Sequence, residues 1–181
     1  MLKIKICGLG GQGAVTASKI LAEAISIEEM RYAVAVPAYG HERRGAPVYA
    51  DIMVDDKPIE LRSFIYEPDY VLVFDPTVKD KGLDYMKGTD ENTTFIVNIS
   101  NCEVPEYLRA RKLIFADATL TALGTINRDV PNSAMLGLFC RTGVLKIESI
   151  KSALERVFKG DGGKNARAAA ICFERGTQRN V

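Results

Sequence analysis

The chain has 181 residues, of which 47% are hydrophobic, and its formal net charge is +1 at pH 7. That length is enough for one α/β domain with a sizeable core. The balanced charge gives no electrostatic reason to expect nucleic acid or an anionic membrane as a partner, and no apolar run reaches the roughly 20 residues of a membrane-spanning helix. Because a strand pattern begins within the first three residues, we expect no signal peptide and a cytoplasmic location.

The cysteine and histidine content argues against a metal site held by this chain. Four cysteines lie far apart in the sequence, at Cys7, Cys102, Cys140 and Cys172, and His41 is the single histidine. Iron–sulfur and zinc sites normally draw at least two ligands from a short stretch of sequence, so neither is expected here. Isolated cysteines with apolar neighbours are typical of buried thiols in a reducing compartment.

Strand-like and helix-like patterns alternate along the chain, which is typical of a mostly parallel sheet covered by helices. The sequence predicts strands over Lys3–Cys7, Tyr32–Val36, Val48–Val54, Pro58–Arg62, Tyr70–Phe74, Thr94–Ile99 and Lys112–Phe115. It predicts helices over Ala14–Ser26, Val78–Met86, Thr119–Leu123, Ser133–Arg141, Ile147–Phe158 and Asn165–Glu174. We therefore expect a single domain over residues 1–181, a Rossmann-like three-layer α/β/α sandwich with a mostly parallel, mixed sheet. The mixed character follows from Asp55-Asp56-Lys57, which separates two strand patterns and predicts a hairpin.

The first predicted strand runs into a glycine-rich turn, and a helix pattern follows at once. Glycines stand at positions 8, 10, 11 and 13. Such a turn exposes backbone N–H groups at a helix N-terminus, where they favour a phosphate. The candidate ligand contacts are therefore Gly10, Gly11, Gln12 and Gly13. The alternative, that these glycines only allow a tight crossing from strand to helix, stays open.

A charged loop, AYGHERRGAPV (residues 38–48), follows the second predicted strand. No acidic residue ends that strand, which counts against the ribose contact of an NAD site. Ligands of open α/β sheets bind at the carboxyl ends of strands, and the arginine side chain pairs bidentately with phosphate or carboxylate. Arg43 and Arg44 are therefore candidate anion contacts at the same sheet end as the glycine turn. A structural corner or a subunit contact is the alternative for this loop.

Several other polar residues have a structural interpretation. Asp75 and Asp117 each follow a predicted strand, and we expect both to cap the helical turn after them rather than to contact a ligand. Asn132 and Ser133 are expected to cap the apolar helix that follows, and Gly137 inside that helix is expected to permit close packing. No Ser–His or Cys–His pair is indicated by spacing, so no catalytic residue is predicted.

Taken together and in this order, the motifs resemble those of one family, the gamma subunits of 2-oxoacid:ferredoxin oxidoreductases. The resemblance is strongest to the pyruvate:ferredoxin oxidoreductase, or pyruvate synthase, type. It rests on GLGGQGAVTASKIL, YGHERRGAPV, LRSFIYEPDYVLVFDPT, NSAMLG and the final KN-to-ERG segment, and so covers nearly the whole chain. GGQG followed by ERRG at this distance is much more specific than a glycine turn alone.

The resemblance implies a role within a larger enzyme. That enzyme converts a 2-oxoacid, coenzyme A and oxidised ferredoxin to acyl-CoA, CO2 and reduced ferredoxin. Thiamine diphosphate and magnesium lie in its alpha and beta subunits, and 4Fe-4S clusters lie in its beta and delta components. By this resemblance the present chain holds no cofactor alone, is inactive when isolated, and contributes to assembly and to coenzyme A contacts.

The residue-based reasoning and the resemblance meet at the glycine turn and the Arg43-Arg44 loop, because coenzyme A carries a pyrophosphate and a 3′-phosphate. Two alternatives stay open from the sequence. One is a free-standing nucleotide-binding α/β protein that uses the glycine turn directly. The other is a gamma subunit of a complex for another 2-oxoacid, such as 2-oxoglutarate, a branched-chain acid or indolepyruvate. The sequence does not identify the 2-oxoacid, because its pocket is expected to lie in other chains.

Overall fold

Seven strands form one mixed sheet in a computed structural model of the chain, which describes residues 1–38, 44–60, 62–99, 103–109 and 111–179. The strands are β1 (Leu2–Leu9), β2 (Tyr32–Pro37), β3 (Pro47–Asp55), β4 (Tyr70–Val73), β5 (Thr94–Asn98), β6 (Lys112–Ala116) and β7 (Thr177–Arg179). Their order across the sheet is β2-β3-β1-β4-β5-β6-β7. The pairs β1–β4, β4–β5 and β5–β6 are parallel. The pairs β2–β3, β3–β1 and β6–β7 are antiparallel. The predicted α/β class and mixed sheet are confirmed.

The helices pack on one face of this sheet. They are α1 (Ala14–Ile27), α2 (Ala118–Ile126), α3 (Asn132–Phe139), α4 (Ile147–Phe158) and α5 (Gly162–Arg175). Successive side chains of a strand point to opposite faces, so Ile4 and Ile6 of β1 lie in the same cluster as the apolar faces of the helices. Cys7 of β1 belongs to a second cluster, on the other face.

That other face is covered by turns, and the described part of the chain places no α-helix there. The helix predicted over Val78–Met86 is wrong, because the structure has a 3₁₀ turn at Pro76–Val78 followed by irregular turns. Gly82 and Gly88 adopt left-handed backbone conformations with φ of +91° and +78°, which reverse the chain where a helix would continue. One outer layer of the predicted three-layer sandwich therefore consists of turns.

The hairpin predicted around Asp55-Asp56-Lys57 is also wrong. Residues 58–60 are not in a strand, and residue 61 lies outside the described residues. The reason is that β3 already pairs along both edges, with β1 on one side and β2 on the other, so no edge remains for a further strand. The short edge strand β7 was not predicted. The assignment of all 181 residues to one domain remains a proposal, which a single cooperative unfolding transition would support.

Gly137 has the packing role that its place in an apolar helix predicts. A Cβ atom built on this residue would lie 2.0 Å from the backbone oxygen of Ala169, so α3 and α5 approach each other through backbone at this point. Real Cβ atoms do not come that close to an oxygen, and the helices would have to separate to admit a methyl group.

Candidate functional site

The glycine turn connects β1 to α1 and leaves the start of α1 open. Gly11 and Gly13 have φ of +100° and +80°, a backbone conformation that costs other residues about 1–2 kcal/mol. Gly13 is the N-terminal cap of α1, no side chain of the described residues caps the helix there, and its first turn contains no acidic residue. Since a helix leaves its first N–H groups without intrahelical partners and carries a partial positive charge at that end, this terminus suits an anion.

The segment after the charged loop lies against this turn. The N–H of Gly10 donates to the Ala46 oxygen over 2.8 Å, and the N–H of Gly45 donates to the Gly10 oxygen over 2.9 Å. A Cβ atom built on Gly11 would be 3.5 Å from Cγ of Arg44. Arg44 is exposed and forms no ion pair within the described ranges. The structure thus brings Arg44 to the glycine turn, whereas Arg43, Glu42 and His41 lie outside the described residues.

A cleft of about 770 Å³ opens at this point. Its walls are the glycine turn, the first turn of α1, Arg44, Val48 and the connection from α2 to α3 at Arg128, Asp129 and Val130. Both arginines and Asp129 are exposed. Sequence reasoning missed residues 128–130, because a polar connection between two helices has no local pattern that marks it as part of a site.

Asn132 brings a buried carboxamide to the edge of the same cleft. It is 4% exposed, and a Cβ atom on Gly13 would lie 2.7 Å from its Nδ2. Its Oδ1 accepts from the Ser133 N–H, which fixes the amide orientation and leaves Nδ2 toward the start of α1. Ser133 Oγ donates in turn to Oδ1 of Asn165 on α5. The prediction that Asn132 and Ser133 cap α3 is wrong, since α3 has Pro131 at that position and no side-chain cap.

Gln12 turns away from the cleft. Its Oε1 accepts from the Leu9 N–H over 2.8 Å, and its Nε2 donates to Oδ2 of Asp75 over 3.1 Å. Its backbone N–H donates to the Leu9 oxygen. Of the four candidate residues in the turn, the three glycines line the cleft and Gln12 contacts β1 and the end of β4.

The two aspartates have the capping roles that the sequence predicts. Oδ1 of Asp75 accepts from the N–H of Thr77 over 2.9 Å, at the start of a 3₁₀ turn. Oδ1 of Asp117 accepts from the N–H of Leu120 over 2.7 Å, at the start of α2. Each carboxylate thereby satisfies an N–H that the helical turn leaves free.

A second pocket, of about 420 Å³, lies on the sheet face that carries the turns, and its side chains include Lys5, Cys7, Tyr49, Phe64, Tyr66 and Tyr85. Lys5 Nζ is 2.8 Å from Oδ1 of the fully buried Asp51. The other carboxylate oxygen of Asp51 accepts from the N–H of Ile65. Burial raises the pKa of the Cys7 thiol to about 12, so this group is protonated at neutral pH. Lys5 and Asp51 are thus paired with each other, whereas Glu67, Asp84 and Lys87, which also line the pocket, are exposed to solvent.

The described residues contain neither a metal-binding cluster nor a membrane-spanning helix. No three of their His, Cys, Asp and Glu side chains are placed to hold a metal ion. None of their helices is both long and apolar enough to cross a membrane.

The chain is similar to known proteins along nearly its full length. A family model described as pyruvate ferredoxin/flavodoxin oxidoreductase matches residues 3–179. The pyruvate/ketoisovalerate oxidoreductases common subunit gamma of Pyrococcus abyssi is 46% identical over an alignment 181 positions long, which covers 97% of each chain. Pyruvate synthase subunit PorC of Methanothermobacter marburgensis is 40% identical over 177 residues, also 97% of each chain. The crystal structure of pyruvate oxidoreductase subunit PORC from Thermotoga maritima has a TM-score of 0.80 at 32% identity, over 98% of this chain and 97% of that one.

Proposed function

The chain belongs to the pyruvate ferredoxin/flavodoxin oxidoreductase family as a gamma-type subunit, and from this premise we propose that it works in a multi-subunit enzyme that oxidises pyruvate. That enzyme converts pyruvate, coenzyme A and oxidised ferredoxin to acetyl-CoA, CO2 and reduced ferredoxin. The partners of the chain are the alpha, beta and delta subunits, which bring thiamine diphosphate, magnesium and the 4Fe-4S clusters. The cysteine spacing of this chain supports that division, because no two of its cysteines are close in sequence.

The part of this chain in the reaction is a contact with coenzyme A in the cleft at the start of α1. The observation that carries this proposal is that Arg44, Arg128 and the uncapped N-terminus of α1 face one volume. Helix N-terminal amides bind phosphate, and guanidinium groups pair bidentately with it. Coenzyme A presents a pyrophosphate to the helix terminus and a 3′-phosphate to an arginine.

The remaining polar groups of the cleft suit the rest of such a ligand. The Asn132 Nδ2 is a further donor beside Gly13, and donors to a charged oxygen form stronger hydrogen bonds than donors to a neutral one. The Asp129 carboxylate, exposed at the cleft wall, accepts hydrogen bonds from hydroxyl or amide groups. Inorganic phosphate offers this carboxylate no amide and no hydroxyl on carbon, so the cleft favours a larger phosphorylated ligand that carries such groups.

The 2-oxoacid itself is recognised by other chains. The Pyrococcus relative is named as a subunit common to pyruvate and ketoisovalerate oxidoreductases, which supports a gamma subunit that is indifferent to the 2-oxoacid. Assays of the assembled enzyme with pyruvate, 2-oxoglutarate, branched-chain 2-oxoacids and indolepyruvate identify the substrate. We expect the highest kcat/KM with pyruvate. A higher value with another acid would change the substrate and leave the coenzyme A contact in place.

Coenzyme A titration of the assembled enzyme tests the site. Arg44→Ala and Arg128→Ala should each raise the KM for coenzyme A about tenfold to a hundredfold, because a hydrogen bond to a charged group contributes about 1.5–3 kcal/mol. The KM for pyruvate and the rate of its decarboxylation should not change. Arg167→Ala, on the exposed side of α5 and outside the cleft, is the matched control.

The other results of this titration are also decisive. An unchanged coenzyme A dependence in an intact complex would refute the contact. An unchanged dependence together with loss of subunit association would instead assign Arg44 and its loop to the subunit interface.

A further inference from the structure

We propose that Gln12 and Asp75 act as positioning residues, forming a clamp that holds the glycine turn in the conformation that binds the phosphorylated ligand. The inference rests on the proposed coenzyme A contact and adds to it two residues that do not line the cleft. Neither side chain is assigned a contact with the ligand. Both act through the backbone of the turn.

The first part of the clamp is the carboxamide of Gln12. It links the end of β1, where the turn begins, to a residue just after the neighbouring strand β4. Oε1 accepts from the N–H of Leu9, where β1 ends, and Nε2 donates to Asp75, just after β4. Gly8 makes this fold-back sterically feasible: a Cβ atom on it would lie 3.2 Å from Gln12 Oε1 and 3.0 Å from Cβ of Phe74. A side chain at residue 8 would therefore press on both the carboxamide and Phe74, the residue directly after β4.

The second part is the fixed position of the Asp75 carboxylate. While Oδ2 accepts from Gln12, Oδ1 accepts from the N–H of Thr77 over 2.9 Å and from its hydroxyl over 2.6 Å. Three donors on two oxygens leave the carboxylate little freedom to rotate. Gln12 thus contacts a carboxylate whose orientation is fixed, just beyond the C-terminal end of the interior strand β4.

The same segment also holds the opposite wall of the cleft. Lys81, a few residues beyond Asp75, donates from Nζ to the backbone oxygen of Gly45 over 3.2 Å. Gly45 follows Arg44 and donates its N–H to Gly10. Residues 75–81 therefore contact both the glycine turn and the arginine segment, and they set the distance between the two.

The clamp matters because the turn is rich in glycine. Glycine loses more backbone freedom on ordering than any other residue, and a site that is ordered before binding does not incur that cost when the ligand arrives. With the side chain and N–H of Gln12 both bound inside the protein, the free N–H groups at the start of α1 face the cleft. Loss of the clamp should weaken ligand binding without changing the chemistry in the other subunits.

The test is an exchange of the two polar groups in the assembled enzyme. Gln12→Glu places a second carboxylate against Asp75, and Asp75→Asn places two amide donors against each other. In the double variant Gln12→Glu/Asp75→Asn, the amide of residue 75 donates to the carboxylate of residue 12, so the hydrogen bond is restored with reversed direction. We expect each single variant to raise the KM for coenzyme A five- to thirtyfold at unchanged kcat, and the double variant to return within about threefold of the wild type.

Rescue of KM is the readout that a purely structural role would not produce. If the single variants lower the melting temperature but leave KM unchanged, or if the double variant shows no rescue, the clamp is refuted. Thr77→Val removes only the hydroxyl bond to Asp75, and it is the variant to use if the Gln12 variants do not assemble. A two- to fivefold rise in KM is expected, and no rise overturns the proposal.

If the KM for coenzyme A responds to Arg44→Ala and Arg128→Ala but not to the clamp variants, only the clamp fails. If it responds to neither set, the coenzyme A contact itself fails.

Discussion

The cleft at the start of α1 and the pocket on the turn-covered face of the sheet differ in the surroundings of their central basic side chains. In the cleft, Arg44 and Arg128 are exposed, and neither has an anionic partner in the described ranges. In the pocket, Lys5 is matched by the buried Asp51, which also accepts from the Ile65 N–H. Phe64 and Tyr66, 46% and 77% exposed, form much of its rim.

This difference indicates that the cleft is a ligand site, whereas the Lys5–Asp51 pair of the pocket stabilises the fold. Cations that are exposed and unpaired can form new bonds to an arriving anion without first breaking internal ones. A buried pair whose carboxylate also binds a backbone N–H is instead committed to the fold, and here it holds residues 62–67 against β3. Both regions contain basic side chains, and the buried ion pair of Lys5 distinguishes that residue from the exposed Arg44 and Arg128.

The largest expected effect is on the buried pair. Asp51→Ala leaves the Lys5 ammonium without its partner and the Ile65 N–H without an acceptor, so it should lower the free energy of unfolding by about 3–5 kcal/mol. The control is Asp56→Ala, which breaks the 2.7 Å pair between Arg31 and an aspartate that is 79% exposed. A surface pair of that kind contributes about 0–1 kcal/mol.

Urea denaturation of the purified chain measures both variants. Equal losses for Asp51→Ala and Asp56→Ala would show that the pair in the pocket is not the structural anchor that its burial indicates. The comparison between the two pockets would then lose its basis.

A smaller effect is expected from one glycine in each region. Gly88 in the pocket and Gly45 beside the cleft have similar φ, +78° and +82°, so alanine meets the same backbone strain at both. A Cβ atom on Gly88 would lie 1.7 Å from the Tyr66 oxygen, whereas one on Gly45 would have no atom of the described residues within 4 Å. Gly88→Ala should therefore cost about 1–3 kcal/mol more than Gly45→Ala.

The same denaturation experiment compares them. A smaller cost for Gly88→Ala would mean that residues 64–67 move freely away from the sheet. The aromatic rim of the pocket would then not be held in place by the backbone contact.

The features that sequence reasoning found are those determined by neighbours in the chain. The strand, glycine turn and helix at the N-terminus depend on residues within about 20 positions of one another, and α1 begins at Ala14 as its pattern predicts. Asp75 and Asp117 cap the turns directly after them for the same reason. The candidate contacts Gly10, Gly11, Gly13 and Arg44 were reached in this way, and their role with a ligand stays a prediction.

The features that it missed depend on contacts between distant segments. Whether β3 pairs with residues 58–61 or with β2 is decided by which edges are already occupied. The apolar spacing at Val78–Met86 resembles a helix, but these side chains cover the sheet through turns because two left-handed glycines redirect the chain. Arg128 lines the cleft and Asn132 lies against Gly13 only because the α2–α3 connection returns to α1, more than 100 residues away in sequence.

The smallest expected effect is the absence of a reaction at Cys7. Its thiol belongs to the pocket but is fully buried, and burial is the main reason that its pKa rises to about 12. A raised thiol pKa means that the protonated form persists as pH increases, so at pH 8 only about one molecule in ten thousand carries the thiolate that reacts with iodoacetamide. An ordinary exposed thiol, with a pKa near 8.5, is about a quarter ionised under the same conditions.

Peptide mass mapping after alkylation at pH 8 should find Cys7 unmodified in the native chain and modified after unfolding in urea. Rapid native modification would show that the pocket opens to solvent, and that the Lys5–Asp51 pair is not the fixed part of the fold that its burial indicates.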